Sequence, residues 1–148
     1  MNKRLVLRLL GAILLIEALA MAPSLAISFL YGDGDALALL SSMALLAALG
    51  FPAWRFAHPR EQNLRAREGF LVVALSWVLL SAFGALPFVI SGLIPNYIDA
   101  FFEAVSGFTT TGATLMGNFD GLPRGVMFWR SFTHWIGGMG VLVLTLAL

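Results

Sequence analysis

The chain has 148 residues, of which 59% are apolar and only 11% charged, with a formal net charge of +1. A soluble domain carries about one-quarter charged residues, so this composition belongs in a membrane, and a near-neutral chain without a basic run offers nothing to nucleic acid. Cysteine is absent, which excludes disulfides and thiolate metal sites, and the two separated histidines, His58 and His134, count against a metal centre.

Four hydrophobic segments are predicted, each at least as long as the ~20 residues a helix needs to cross ~30 Å of hydrocarbon. The first, residues 5–30, is interrupted by Glu17 and Pro23. Lys3 and Arg4 ahead of it have the look of a signal-peptide n-region, and residues 18–20 or 20–22 offer a cleavage site. Apolar sequence running on to Leu30 suits a retained span better. An intramembrane carboxylate is expensive and is a functional candidate by default. Glu17 is nevertheless read as a structural residue, protonated or hydrogen-bonded against a neighbouring helix. The second segment, residues 36–57, meets Pro52 and Arg55 near its end, and the third, residues 69–94, has no charge and carries Pro87 in its last third.

Residues 96–108 are different, because about a dozen helical residues reach only ~18 Å at 1.5 Å each. Such a helix enters a membrane without crossing it. It leads into the threonines of residues 109–114, which surround Gly112. Hydroxyl residues at membrane depth are costly unless their backbone lines a water- or ion-filled path, and an extended Thr/Gly run is how carbonyl-lined ion filters are built. A short helix followed by such a run reads as a re-entrant pore loop, with the carbonyls of Thr110, Thr111, Gly112 and Ala113 as the ion donors. The rival reading is a small-residue patch where helices pack closely. Glu103, about two turns before Gly112, has three possible roles. It can accept from backbone N–H groups behind the run, pair with Arg130, or sit solvated at the surface.

The fourth segment, residues 126–148, has Arg130 near its start. Gly137, Gly138 and Gly140 allow close packing on the short helix or a local kink. Trp77, Trp129 and Trp135 read as interface or packing aromatics. No nucleophile–base pair or phosphate-binding loop is present, so neither an enzyme nor a cofactor is expected. Seven of the nine basic residues (Lys3, Arg4, Arg8, Arg55, Arg60, Arg65 and Arg67) lie at the N-terminal end of the first segment or around the second connection. They place the N-terminus and residues 60–67 in the cytoplasm. The run then opens to the outside, where Asp99 and Asp120 either raise the local cation concentration or simply solvate their loops.

The run Phe102-Glu-Ala-Val-Ser-Gly-Phe-Thr-Thr-Thr-Gly-Ala-Thr114 resembles the first pore loop of the TrkH/TrkG family of bacterial potassium uptake proteins, within the Trk/Ktr/HKT superfamily. Downstream, Leu122-Pro-Arg-Gly, Phe128-Trp-Arg-Ser and Trp135-Ile-Gly-Gly-Met-Gly140 are similar to the start of that family's next membrane helix. The resemblance implies an all-α integral membrane fold with two N-terminal transmembrane helices in residues 1–58 and a basic cytoplasmic connection in residues 59–68. Residues 69–148 would then hold the first of four helix–pore loop–helix repeats, truncated in its inner helix. It implies a potassium uptake subunit of the bacterial inner membrane, working by symport, to which this chain contributes one of four filter strands. Potassium would be held at Thr110, Thr111, Gly112 and Ala113, with Thr109, Thr114, Glu103 and Arg130 in support. Glycine at position 112 implies a preference for potassium where relatives with serine admit sodium. A single glycine, where stricter channels have two, implies moderate selectivity. A homodimer and a cytosolic nucleotide-binding regulatory subunit are also implied, with membrane lipid around the bundle. One Thr-Thr-Gly run alone closes no pore, and a chain ending on Leu148 inside an apolar segment reads as a truncated or partial sequence. The alternatives are a non-conducting remnant or packing module, or a related subunit passing sodium as well.

Overall fold

Without water in a bilayer, the backbone of a long apolar run satisfies its own polar groups most simply as an α-helix, and every regular element among the described residues is helical. The computed structural model describes residues 3–57 and 66–147, with side chains for residues 3–57 and 67–140. Arg60, Arg65 and most of the expected basic connection lie outside the described residues. The helix that follows begins at Ala66, so the last three residues assigned to that connection are already helical.

The first segment forms α1 (Lys3–Ala20) and α2 (Ala22–Tyr31), separated only at Met21. Pro23 explains the interruption: it has no N–H for the carbonyl of Leu19, and its ring crowds that carbonyl. The helix path still continues, since Met21 N–H donates to Glu17 O at 3.1 Å and Leu25 N–H to Met21 O at 3.0 Å. The second segment is α3 (Ala36–Phe56), which runs through Pro52 without a break. The third divides at Ala85 into α4 (Ala66–Gly84) and α5 (Leu86–Ile90), a division the sequence reading did not make. Pro87 again removes a donor, and side chains from other elements take up the carbonyls at the break. Trp129 Nε1–H donates to Gly84 O and Tyr97 O–H to Ala82 O, both at 2.9 Å.

The short helix is α6 (Tyr97–Phe108), with Asn96 as its N-cap accepting from Ile98 N–H at 3.0 Å and Asp99 in its first turn. The last helix, α7 (Arg124–Ala147), is 24 residues long and passes unbroken through Gly137, Gly138 and Gly140. Among the described residues, three helical stretches, Lys3–Tyr31, Ala36–Phe56 and Arg67–Ile90, are long and apolar enough to cross a membrane. Large apolar side chains such as Leu19, Leu37 and Phe56 face outward on them, as contact with lipid or further helices requires.

The core gathers where α6 ends against the α4–α5 break and α7. Phe88, Phe108 and Trp129 are fully buried there, and the rings of Phe108 and Trp129 meet edge to face with centroids 6.2 Å apart. On the other side, α1 packs along α3. Gly11 and Gly50 set that approach: a Cβ on Gly11 would lie 2.7 Å from Trp54 N and 2.8 Å from Gly50 O. Adding even one carbon to a filled contact costs about 1–3 kcal/mol. Gly11→Ala is therefore expected to lower the thermal stability of the purified protein measurably. Gly117→Ala, which meets nothing within 4 Å, should leave stability within about 0.5 kcal/mol. Equal melting temperatures for the two variants would contradict this packing.

Candidate functional site

The site is built on the C-terminal end of α6. Ala100, Ala104 and Phe108 bury one face of that helix, and Glu103, Ser106 and Gly107 are buried with them. The chain leaves the helix through a Schellman turn: Thr110 N–H donates to Gly107 O and Thr111 N–H to Ser106 O, each at 2.9 Å. The pivot of that turn is usually glycine, yet here Thr110 holds it at φ 58°. A β-branched residue in the left-handed region is strained by about 1–2 kcal/mol, and such strain concentrates at functional positions. Gly112 has φ 77°, and a Cβ there would meet nothing within 4 Å. The backbone angle, not lack of space, is what calls for glycine at that position.

Hydrogen-bond accounting gives the run a direction. Gly112 N–H also turns back, to Ser106 O at 3.4 Å. Thr109 Oγ1–H donates to Val105 O at 2.7 Å and accepts from Thr111 Oγ1–H at 2.8 Å. Ser106 Oγ–H donates to Ala113 O at 2.6 Å, so one lone pair of that carbonyl is engaged within the chain. Among the described residues, nothing donates to the carbonyls of Thr110, Thr111 or Gly112. Residues 109–115 are all exposed, and Thr114 Oγ1 accepts from Met116 N–H at 3.1 Å.

Glu103, 1% exposed, uses both oxygens. Oε2 accepts from Leu115 N–H at 3.1 Å, just beyond the run, and Oε1 accepts from Arg130 Nε–H at 2.5 Å. Of the three roles open to it in the sequence, it takes the first two. Arg130 also lies over the Phe119 ring, 5.4 Å from its centroid. Below this ion pair the backbones of α6 and α7 touch. Gly107 leaves room only for Thr133, and a side chain on Gly137 would collide with the Phe108 carbonyl. Gly138 comes near the run itself, since a Cβ on it would lie 3.9 Å from Thr110 Cγ2. Gly140 faces Trp77 on α4 at 3.4 Å by the same measure.

Glu17 is 2% exposed and seated against Gly84 of the neighbouring helix, but neither of its oxygens has a hydrogen-bond partner among the described residues. Asp33 and Asp35, the acids of the connection between the first two segments, reach the start of α7. Asp33 Oδ2 accepts from Arg124 N–H at 2.9 Å and Asp35 Oδ2 from Val126 N–H at 2.7 Å. The available clue was negative: Gly121, Leu122 and Pro123 precede α7 and none has a capping side chain, so the orphan N–H groups needed acceptors from elsewhere.

Fold and site together define a helical, multi-span membrane protein that presents an unbonded row of backbone carbonyls at the end of a short helix. The family model described as TrkH, a cation transport protein, matches residues 37–148, and the chain belongs to that family. It is 38% identical to the Trk system potassium uptake protein TrkH of Halomonas elongata over 151 residues, covering 100% of this chain and 31% of that protein. It is 34% identical to the Trk system potassium uptake protein TrkG of Escherichia coli over 145 residues, covering 97% of this chain and 30% of that one. The crystal structure of the potassium transporter TrkH from Vibrio parahaemolyticus superposes with a TM-score of 0.92 at 37% identity, covering 99% of this chain and 32% of that one. The chain thus spans about a third of the length of the relatives it matches.

Removing one partner of a buried ion pair costs about 3–5 kcal/mol, whereas replacing both with apolar groups costs far less. Arg130→Leu is expected to destabilise the purified protein by that amount, and the double variant Glu103→Leu/Arg130→Leu to recover part of the loss. A double variant whose loss equals the sum of the single losses in thermal unfolding would show that the two side chains are not coupled.

Proposed function

We propose that this chain is the N-terminal part of a potassium uptake protein, in which residues 109–114 form one of four filter strands around a single pore. The observation that carries the reading is the division of labour along the run. The amides of Thr110, Thr111 and Gly112 turn back into α6, and their carbonyls have no donor among the described residues. Potassium is large and weakly hydrated, so a ring of such dipoles replaces its water at acceptable cost. The run also sits at the C-terminal end of α6, where the helix dipole presents about half a negative charge to a cation. The names of the relatives, potassium uptake proteins, support potassium as the ion.

In this reading α6 is a re-entrant pore helix, α4 and α5 form the outer helix of the first repeat, and α7 begins its inner helix. Thr109, Thr114, Glu103 and Arg130 brace the strand. The N-terminus lies in the cytoplasm of a bacterial inner membrane, and the run opens outward. The complete protein forms a homodimer, binds a cytosolic nucleotide-binding regulator and moves potassium by symport, as the family resemblance implies. Its work is transport, not catalysis.

The test is Gly112→Ser in the full-length protein, in cells lacking other potassium uptake systems, with variants matched for expression. A side chain at φ 77° costs about 1–2 kcal/mol. Borne entirely by the potassium-coordinating geometry, that cost corresponds to roughly tenfold in relative ion affinity. The variant should stay in the membrane and lose about that much discrimination between potassium and sodium. Normal flux with unchanged selectivity would mean that this run is not the selective part of the pathway.

A further inference from the structure

The start of α7 carries no cap of its own. Met127 N–H bonds to Pro123 O at 3.0 Å, which makes Pro123 the N-cap residue, and proline has no side-chain acceptor for the first-turn amides. The acceptors arrive from a loop 91 residues earlier in the chain: Asp33 takes Arg124 N–H and Asp35 takes Val126 N–H. Asp35 is 3% exposed, and its second oxygen accepts from the buried Ser28 hydroxyl of α2. Gly125, between the two capped amides, has no room for a Cβ, which would lie 2.6 Å from Asp35 Oδ2 and 2.7 Å from Ser28 Cβ. The Arg124 guanidinium lies over the Tyr31 ring, 4.3 Å from its centroid. Both carboxylates also face the positive end of the α7 dipole.

This clamp is in register with the ion-pathway run. Arg130 lies four residues beyond Val126, one helical turn or ~6 Å along the axis. Arg130 holds Glu103, and the other oxygen of Glu103 holds Leu115 N–H at the end of the run. The height and rotation of α7 at its first turn therefore set where Arg130 meets Glu103, and through Glu103 where the run is pinned.

We infer that Asp35, seconded by Asp33, is a positioning residue for ion selection: the loop between the first two spans fixes the inner helix, and thereby the geometry of residues 109–114. The inference rests on the reading of those residues as a filter strand. It assigns the two N-terminal helices a task in selectivity beyond anchoring.

The experiment uses the full-length protein and measures potassium uptake as KM and maximal rate per molecule in the membrane, with sodium competition. Asp35→Ala is expected to raise KM for potassium about tenfold, equivalent to about 1.4 kcal/mol, and to lower discrimination against sodium, with the maximal rate per molecule kept. Asp35→Asn retains an acceptor for Val126 N–H and should recover most of the affinity. Should Asp35→Ala fail to accumulate, Asp33→Ala at the exposed end of the clamp carries the same test, with a smaller shift in the same direction. A drop in protein level with unchanged KM and discrimination in the surviving molecules would overturn the inference, leaving Asp35 a purely structural cap. Gly112→Ser, run in parallel, separates the two claims. If it alters selectivity and neither aspartate variant does, only the inference fails; if none of the variants alters KM or discrimination, the filter reading fails with it.

Discussion

The carboxylate of Glu103 is the contact through which the site is held. Taking a charge out of water costs several kcal/mol, which attraction to a partner offsets only when the remaining lone pairs are also bonded. Glu103 meets that condition with Arg130 on one oxygen and Leu115 N–H on the other. Three pieces of chain meet at this one group: the short helix, the end of the threonine run and the last helix. Its value lies in registry as much as in stability, because a displaced partner would leave a charge buried and alone. Glu17 makes the contrast, equally buried but with no hydrogen-bond partner for its carboxylate among the described residues.

From that anchor the direction of the run follows by elimination. A Schellman turn spends the amides of Thr110 and Thr111 on the last turn of α6, and Gly112 N–H follows them. Over residues 110–112 the amides are all bonded back into α6, and the carbonyls are left without donors among the described residues. The cost is a threonine in the left-handed region at Thr110, φ 58°, where glycine would be relaxed. The strain is sustained by what surrounds it. Thr109 and Thr111 share a hydroxyl bond, Ser106 fastens Ala113, and Gly137 lets α7 close against the Phe108 carbonyl.

Local features of this fold were legible in the sequence, and those that depend on distant partners were not. The length of α6 and its end at Phe108 follow from apolar spacing and the onset of threonines, and the need for glycine at position 112 follows from the same run. The spacing of Glu103 and Arg130 allowed their pairing without requiring it. Three prolines lie within apolar segments, yet Pro23 and Pro87 coincide with breaks while Pro52 does not. The break at Ala85 is sustained by Trp129 and Tyr97, from elements far along the chain, and proline alone does not reveal such partners. The positive φ of Thr110 escaped notice because β-branched residues rarely adopt it. The capping of α7 escaped because Asp33 and Asp35 lie 91 residues from the amides they accept.

The direct measurement is a structure of the full-length protein soaked in rubidium or thallium, with the ions located by anomalous scattering. The expected result is ion density coordinated by the carbonyl oxygens of Thr110, Thr111 and Gly112, with Glu103 still bridging Arg130 and Leu115. Density confined to another part of the protein, with those three carbonyls bonded to protein donors, would contradict the assignment of this run as the ion-selecting strand.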